Sequence, residues 1–379
     1  MKGIHQWQRR AALVAAALLL TATGAAAEER IAIGPYVQNV TSESAVVCWA
    51  TRAGESGLKG PNGERTVRGY QHHSRTFAEL KPDTRYEYDV LGDGSPEGCG
   101  HFTTFPEQAR PFRFVAFGDT RSRHDVHERL VRRILAEAPV LVINTGDLVS
   151  NGLRVSDWET FFQISGDLMR HIPYYPVLGN HEKDSPLYFD FFDLPGNERR
   201  YSFSVGDAFF LMLDSEGPEY ETPEFIKKEN LEEFWARQNR AYMEAQKHWA
   251  DEMLYLHRDA GFTFVCFHQP LYSAKASRLE DARLRREFWG DIFERHGVQV
   301  VLNGHDHHYH HAAHGGTHYI VTGGGGANLY AADAPQPETV KTVRTEHYIR
   351  IEVGTDEATL TAIDMDGRTI DVLTVDRRP

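Results

Sequence analysis

The chain has 379 residues and a formal net charge of −13, from 54 acidic side chains against 41 lysines and arginines. This length is enough for two or three domains. A surface this acidic repels the phosphate backbone of nucleic acids, so we expect no nucleic-acid partner.

Residues 1–27 are typical of an export signal. Lys2, Arg9 and Arg10 supply positive charge, AALVAAALLL is the apolar core, and TGAAA provides small residues before a cleavage site. The apolar core is too short to span a bilayer, so we expect a periplasmic or secreted protein with no stable membrane insertion after cleavage. An uncleaved anchor is the alternative. Cleavage would take the formal charge from −13 to −16, because the segment carries three positive charges and no acidic ones.

Residues 28–107 have no helical pattern. Short strand-like runs such as SAVVCWAT and TRYEYDVLG alternate with turns rich in Gly, Pro, Asn and Asp, which predicts a small antiparallel β-sandwich. Cys48 and Cys99 lie in this region. They could form a disulfide in an oxidising compartment, or they could remain free thiols.

From residue 108 the pattern changes to alternating strands and helices. The run FRFVAFGD is followed by HDVHERLVRRILAEA, in which Val126, Leu130 and Ile134 recur at helical spacing, and then by VLVINTGD. This order predicts a βαβ unit. A hairpin is predicted to turn at Gly206-Asp207, and the C-terminal segment alternates apolar and polar residues as antiparallel strands do. The residues alone therefore indicate an α/β fold with mixed sheets.

Five of the apolar runs in this region end in short polar motifs, GDTR, GDL, GNHE, FHQP and GHDH. Their candidate metal ligands are Asp119, Asp147, Asn180, His268, His305 and His307. Ligand sites form beyond the carboxyl ends of strands in α/β sheets, so we expect these side chains to converge into a site with donors for two ions. Each residue alone has another interpretation, since aspartates are common in turns, Asn180 could cap a helix and His268 could be a core histidine.

The motif order GD, GD, GNH, H and GHxH resembles the calcineurin-like metallophosphoesterases over roughly residues 110–330. The segments KPDTRY and TRYEYDVLG are similar to a turn and a strand of fibronectin type III domains, and purple acid phosphatases carry such a domain at the N-terminus. The resemblance implies an α/β protein. A four-layer αββα metallophosphoesterase sandwich, residues 108–379, would follow a small all-β fibronectin type III-like domain, residues 28–107.

The resemblance also implies a role for each motif residue. Asp147 would bridge two metal ions, of which one is also held by Asn180, His268 and His305 and the other by Asp119 and His307. His181 would contact the phosphoryl group and assist the leaving oxygen. The ligand types suit iron, zinc or manganese, and a hydroxide bridging the ions would attack phosphorus in line. Glu182 is expected to be structural, and the histidines from His308 to His318 are expected to flank the cleft.

Two positions depart from the family pattern. Purple acid phosphatases carry a tyrosine three residues after the bridging aspartate, where this chain has Ser150, so no tyrosinate-to-iron colour is expected. Many other members carry a histidine two residues after the first aspartate, where this chain has Arg121. The first site then has one ligand fewer and should lose its ion more easily, unless water, His124 or His127 completes it. Arg121 could hold phosphate oxygens in catalysis, or it could be a surface residue of the loop.

Together these features predict an exported hydrolase with a dinuclear metal site and a small phosphoester as substrate. The resemblance to purple acid phosphatases favours phosphomonoesters, and a phosphodiesterase is the alternative within the class. A metal-binding or adhesive surface protein, in which the incomplete first site has lost catalysis, is an alternative of a different class.

Overall fold

The structure is a computed structural model that describes residues 31–60, 63–92, 95–218 and 231–379. The predicted export signal, residues 1–27, lies outside the described residues. Within the described part of the chain, no helix is both long and apolar enough to cross a lipid bilayer.

The N-terminal region consists of antiparallel strands, in a sheet of three (β1-β2-β3) and a sheet of two (β4-β5). The bounds are β1 Ile31–Gln38, β2 Ala45–Gly60, β3 Gly63–Phe77, β4 Arg85–Gly92 and β5 Ser95–Thr103. Cys48 is buried, Cys99 is exposed, and both are free thiols, which is the second of the two alternatives. The likeness to a fibronectin type III domain and the boundary at residue 107 stay predictions.

A six-stranded mixed sheet begins the α/β part of the chain, in the order β18-β17-β16-β6-β7-β8. Strands β6, β7 and β8 are parallel, and the others pair antiparallel. The bounds are β6 Phe112–Phe117, β7 Leu141–Asn144, β8 Tyr174–Pro176, β16 His347–Val353, β17 Glu357–Asp364 and β18 Thr369–Asp376. Helix α1, His124–Glu137, connects β6 to β7, which confirms the predicted βαβ unit.

A seven-stranded mixed sheet has the order β15-β13-β14-β12-β11-β10-β9. Neighbours among β10, β11, β12 and β14 are parallel. The bounds are β9 Tyr201–Val205, β10 Ala208–Met212, β11 Phe262–Cys266, β12 Val300–Asn303, β13 Tyr309–His314, β14 Thr317–Thr322 and β15 Thr339–Val343. The hairpin of β9 and β10 turns at Gly206-Asp207, as the sequence predicts.

The two sheets pack face to face between outer helices, which is the predicted four-layer αββα arrangement. On β10, the ring of Phe210 meets Phe114 of the other sheet at 5.1 Å, whereas Phe209 and Leu211 pack toward the outer helices. Such strands are apolar throughout because alternate side chains enter two different buried layers. The remaining helices are α2 Val155–Met169, α3 Pro186–Phe191, α4 Leu231–Leu256 and α5 Leu279–Arg295, with a short 3-10 helix at Ala276–Arg278.

The carboxyl ends of parallel strands from both sheets lead into the polar motifs. Strands β6 and β7 run toward Asp119 and Asp147, and β11 and β12 run toward His268 and His305. Backbone hydrogen bonds join the loops, since the Asp119 amide donates to the Gly146 carbonyl at 2.9 Å. The topology therefore brings residues far apart in the chain to one edge of the sandwich.

Candidate metal centre

Three predicted ligands, Asn180, His268 and His305, form a compact triangle of donor atoms that we call the amide site. Asn180 Oδ1 lies 3.1 Å from His305 Nδ1 and 3.3 Å from His268 Nε2, and the two nitrogens are 3.2 Å apart. Asp147 Oδ1 lies 3.4 Å from His268 Nε2. Donors held about 2.0–2.1 Å from one ion in a tetrahedral arrangement are about 3.3 Å apart, so this spacing fits a metal ion.

Electrostatics within the amide site also favour a cation. His268 Nδ1 lies 2.8 Å from the Thr145 carbonyl, to which it donates, so Nε2 faces the centre. Burial alone would lower the pKa of His268, but the charges of Asp147 and Asp119 raise it to about 9. Burial lowers the pKa of His305 to about 2, and the positive charge on His268 adds to this effect. Without metal, the negative charges of Asp147 and Asp119 therefore favour one proton on His268. A bound metal ion would neutralise the same two carboxylates.

Asp119 and His307 form the second group, which we call the carboxylate site, and Asp147 is shared between the two sites. Donor atoms of Asp119, Asp147 and His307 lie within 4.8 Å of one another. Asp119 Oδ1 is 3.4 Å from His307 Nε2 and, although buried, makes no hydrogen bond. His307 Nδ1 donates to the Asn328 carbonyl at 2.9 Å, which turns Nε2 toward the carboxylates. Buried polar atoms are nearly always paired, so an unpaired carboxylate oxygen here fits a bound cation.

Three predicted ligands have a left-handed backbone conformation, with φ of 58° at Asp119, 57° at Asp147 and 66° at His305. Residues other than glycine rarely adopt this region, and the strain is retained where surrounding structure fixes it, often at functional sites. A Cβ atom at Gly304 would lie 2.6 Å from Asp119 Oδ2, so only glycine permits this approach of the two loops. The turns thus aim the ligands inward from both sheets.

Glu182 ties two of the motif loops together. Its carboxylate is buried and accepts backbone hydrogen bonds from Asp147 at 3.0 Å, Leu148 at 2.9 Å and Gly179 at 2.7 Å. Burial and the negative charge of Asp147 raise the pKa of Glu182 to about 8, and the amide donors oppose this rise. The side chain holds the loop of Asp147 against the loop of Asn180, which is a structural role.

His181 lies beside the centre with one ring nitrogen free. Its backbone N–H donates to Asp147 Oδ1 at 3.0 Å, and its Nδ1 donates to the Ser150 carbonyl at 2.8 Å. Its Nε2 lies 3.9 Å from Asp147 Oδ2, and 27% of the side chain is exposed. Because a carbonyl only accepts, Nδ1 carries a proton, and Nε2 can exchange a proton with a bound group.

Arg121 extends into the carboxylate site. Its Nε lies 3.2 Å from Asp147 Oδ2, and one terminal nitrogen lies 3.4 Å from His307 Nε2. The Nε–H is not aligned with the carboxylate and makes no hydrogen bond, so the contact with Asp147 is an ion pair. The Ser150 hydroxyl donates to the Arg121 carbonyl. The two positions that depart from the family pattern therefore contact each other.

His127 is not brought into the centre. It lies on the buried face of α1, with Nε2 3.3 Å from Ser165 Oγ and its ring stacked on Phe161. Burial lowers its pKa to about 3, as expected for a neutral core histidine. The ring packs between α1 and α2 and also borders the cavity beside Arg121, and the suggestion that His127 is an extra ligand stays a prediction that these contacts do not support. His124 is at the exposed start of α1, where it lines a cavity of about 170 Å³ beside Arg121.

His311 and His318, which follow GHDH, have partners outside the two sites. His311 lies 3.0 Å from Asp371 Oδ2 through Nδ1 and 2.9 Å from His318 through Nε2. Tyr309 is buried and donates to Asp371 at 2.8 Å. These contacts agree with the expectation that His305 and His307 are the candidate ligands of this segment.

Two further side chains, Asp306 and Arg278, support the loop that carries His305 and His307. Asp306, between His305 and His307, is buried and accepts a hydrogen bond from Ser273. Arg278 pairs with Asp306 and donates to the His305 carbonyl. The signal in the sequence is an acidic residue between two ligands, but its partner is 28 residues away and only the fold identifies it.

Comparison with curated proteins finds relatives that are about 25% identical to this chain. Purple acid phosphatase 18 of Arabidopsis thaliana is 24% identical over 292 residues, which cover 72% of this chain and 61% of that protein. An uncharacterized protein of Mycobacterium tuberculosis is 25% identical over 268 residues, which cover 61% of this chain and 49% of that protein. The chain thus spans about half the length of the mycobacterial relative.

A solved structure and a family model agree on the fold. Purple acid phosphatase PPD1 from seeds of yellow lupin, Lupinus luteus, superposes with a TM-score of 0.71 at 17% identity, over 90% of this chain and 74% of that one. The family model described as calcineurin-like phosphoesterase matches residues 112–309, from β6 to the start of β13. Because this match covers more than half of the sequence, the chain belongs to the calcineurin-like phosphoesterase family.

Proposed function

We propose that this protein is an exported phosphoester hydrolase that acts on small phosphomonoesters at a metal centre. The observation that carries the proposal is the convergence of donors from both sheets around Asp147, with His181 beside them. The family is dimetal, the two sites supply donors for two ions, and iron, zinc or manganese suit these ligands. The predicted signal in residues 1–27 supports a periplasmic or secreted location.

Metal ions bound here would neutralise charge on the phosphoryl oxygens and make a water molecule acidic enough to attack phosphorus. The contribution of the protein is to hold the donor atoms in place. The left-handed turns and Glu182 fix Asp147 before substrate binds, which reduces the reorganisation needed during reaction. His181 Nε2, 3.9 Å from Asp147 Oδ2, can hydrogen bond to a phosphoryl oxygen or donate a proton to the leaving oxygen.

Arg121 supports the preference for monoesters. A phosphomonoester dianion carries one more negative charge than a diester, and it gains more from each positive charge near the centre. The guanidinium contacts Asp147 and His307, so its fixed charge is present at the place where the phosphoryl group would bind.

Hydrolysis of p-nitrophenyl phosphate and of bis(p-nitrophenyl) phosphate tests the proposal. The purified protein is stripped with a chelator and then supplied separately with iron, zinc and manganese. We expect metal-dependent hydrolysis that is faster for the monoester than for the diester. Faster hydrolysis of the diester would favour the phosphodiesterase alternative. Inert protein with every metal and both substrates would overturn the proposal in favour of a metal-binding or adhesive protein.

Export is tested separately. The full chain is expressed in a bacterial host, and the N-terminus of the protein in the periplasmic fraction is read by mass spectrometry. We expect cleavage close to Ala27, where small residues end the predicted signal. An intact N-terminus in the membrane fraction would favour the uncleaved anchor.

A further inference from the structure

Arg121 brings a fixed positive charge to a position where many family members carry a metal-binding histidine. Only 20% of its side chain is exposed, and its ion-pair partner Asp147 is 2% exposed. Charges that are shielded from solvent interact more strongly than they do on an open surface. The guanidinium is therefore held within the centre, unlike that of an arginine on a solvated loop.

The acceptors that face Arg121 are the ones that a metal ion in the carboxylate site would use. Asp147 Oδ2 lies 3.2 Å from Arg121 Nε, and His307 Nε2 lies 3.4 Å from a terminal nitrogen. His307 Nδ1 is already engaged by a backbone carbonyl, so Nε2 is the nitrogen left for an ion. The guanidinium and an ion in the carboxylate site would compete for the lone pair of His307 Nε2 and for the negative charge of Asp147.

The charge balance agrees with this competition. Asp119 and Asp147 bring two negative charges when ionised, whereas Asn180 and neutral histidines bring none. One divalent ion in the amide site, together with the guanidinium, already supplies three positive charges. A second divalent ion would be repelled both by the first ion and by Arg121, a few Å away.

We propose that the guanidinium of Arg121 is the resident cation of the carboxylate site. The protein then holds one metal ion tightly, in the amide site, and binds a second only when Arg121 is displaced. This inference rests on the proposed metal centre and is independent of the proposed substrate. It differs from the simple lack of a ligand, because removal of the arginine alone is then enough to strengthen binding of the second ion.

A carboxylate that lines the same cavity as Arg121 could receive the displaced guanidinium. The cavity of about 170 Å³ is lined by Arg121 and also by Asp157, whose buried Oδ2 makes no hydrogen bond. The other oxygen of Asp157 lies 3.5 Å from Arg154. A displaced guanidinium can therefore pair with Asp157, which provides a route by which a high concentration of metal opens the carboxylate site.

The experiment counts bound ions without reference to activity. Stripped wild-type protein is dialysed against a series of Zn²⁺ concentrations, and zinc per chain is measured by inductively coupled plasma mass spectrometry. We expect one tight ion and a second whose dissociation constant is larger by about 100-fold or more. In Arg121→Ala we expect the second ion to bind about 10-fold or more tightly than in the wild type, because the competing charge is gone.

Three further variants distinguish two explanations for weak binding of the second ion, namely competition by the guanidinium and the lack of a ligand. Arg121→Lys keeps the charge and should retain one tight ion, whereas Arg121→His adds a ligand and should bind two. Arg123→Ala removes a neighbouring arginine that pairs with Glu346. This variant should bind the same number of zinc ions, with the same affinities, as the wild type.

Two results would overturn the proposal. One is a pair of equally tight ions in the wild type. The other is a tighter second ion in Arg121→His but not in Arg121→Ala, because the lacking ligand would then explain the weak site. If no protein hydrolysed any ester, the proposed function would fail, but the ion count would still decide the role of Arg121.

Discussion

The two halves of the metal centre use similar ligands but differ in what their lone pairs face. In the amide site, the donor atoms of Asn180 and His305 face each other at 3.1 Å, a spacing that fits an ion. In the carboxylate site, the donors of Asp147 and His307 face the guanidinium of Arg121. The same ligand types can therefore have different surroundings in the two sites, because a neighbouring cationic side chain contacts the donors of only one of them.

Asp147 belongs to both halves, so changing it is expected to have the largest effect. Asp147→Asn preserves the shape of the side chain but removes the charge that both sites share. We expect kcat/KM for p-nitrophenyl phosphate to fall by about 10³-fold or more, together with loss of tightly bound metal. Activity and zinc content are measured on the same sample. A variant that kept both would show that Asp147 is not the shared ligand.

His181 tests whether catalysis can be separated from metal binding in either half. In His181→Ala we expect kcat to fall by about 10²- to 10⁴-fold, because a proton donor near the leaving oxygen is lost, while metal content stays as in the wild type. The loss should be greater for phenyl phosphate than for p-nitrophenyl phosphate, whose leaving group needs less protonation. His314→Ala, at an exposed histidine beside Glu294, is the matched control. An equal loss for both substrates would argue against the role as proton donor.

A pair of histidine variants compares the two halves directly. His268→Ala removes a donor of the amide site, and we expect its affinity for the tight ion to fall by about 100-fold or more. His307→Ala removes a donor of the carboxylate site and should leave that affinity near the wild-type value. Zinc titration of both stripped variants checks this. Equal weakening in the two variants would remove the distinction between the halves.

Changing His127 is expected to have the smallest effect on activity and on metal binding, and it tests the boundary of the centre. Its pKa is lowered to about 3 in the folded protein, whereas an unfolded histidine titrates near 6.5. The unfolded state binds the extra proton between these values, so stability falls as pH decreases from about 6.5 to about 3, by up to about 1.4 kcal/mol per pH unit. His127→Gln should reduce this slope. Urea unfolding of both proteins in chelator, at several pH values, measures it.

The contribution of His127 is obtained by comparing the pH dependence of stability in the wild type with that in His127→Gln. Other buried histidines titrate in the wild type and in the variant alike, so the difference between the two slopes isolates His127. Equal slopes would mean that its ring is not a buried neutral group. A change in the zinc content of His127→Gln at neutral pH would support a role for His127 as a metal ligand.

Much of the fold could be predicted because local patterns determine it. Val126, Leu130 and Ile134 recur at helical spacing, and all three are buried in α1. The apolar run before Asp119 forms β6, whose alternate side chains enter two buried layers. Periodicity indicates such elements because the side chains that face a buried layer are apolar and recur with the period of the strand or helix. The fibronectin-like character of the N-terminal strands stays a prediction.

The sequence by itself determined which ligand types reach the edge of the sandwich, since each candidate follows an apolar run that forms a strand. Only the tertiary structure decided that His127 belongs to the core, that Glu182 joins two loops, and that Arg121 faces Asp147 and His307. Arg121 and His307 are 186 residues apart in the chain. Their contact is set by the packing of two sheets and by the attraction between charges a few Å apart. The sequence around either residue reveals neither the packing nor the distance between the charges.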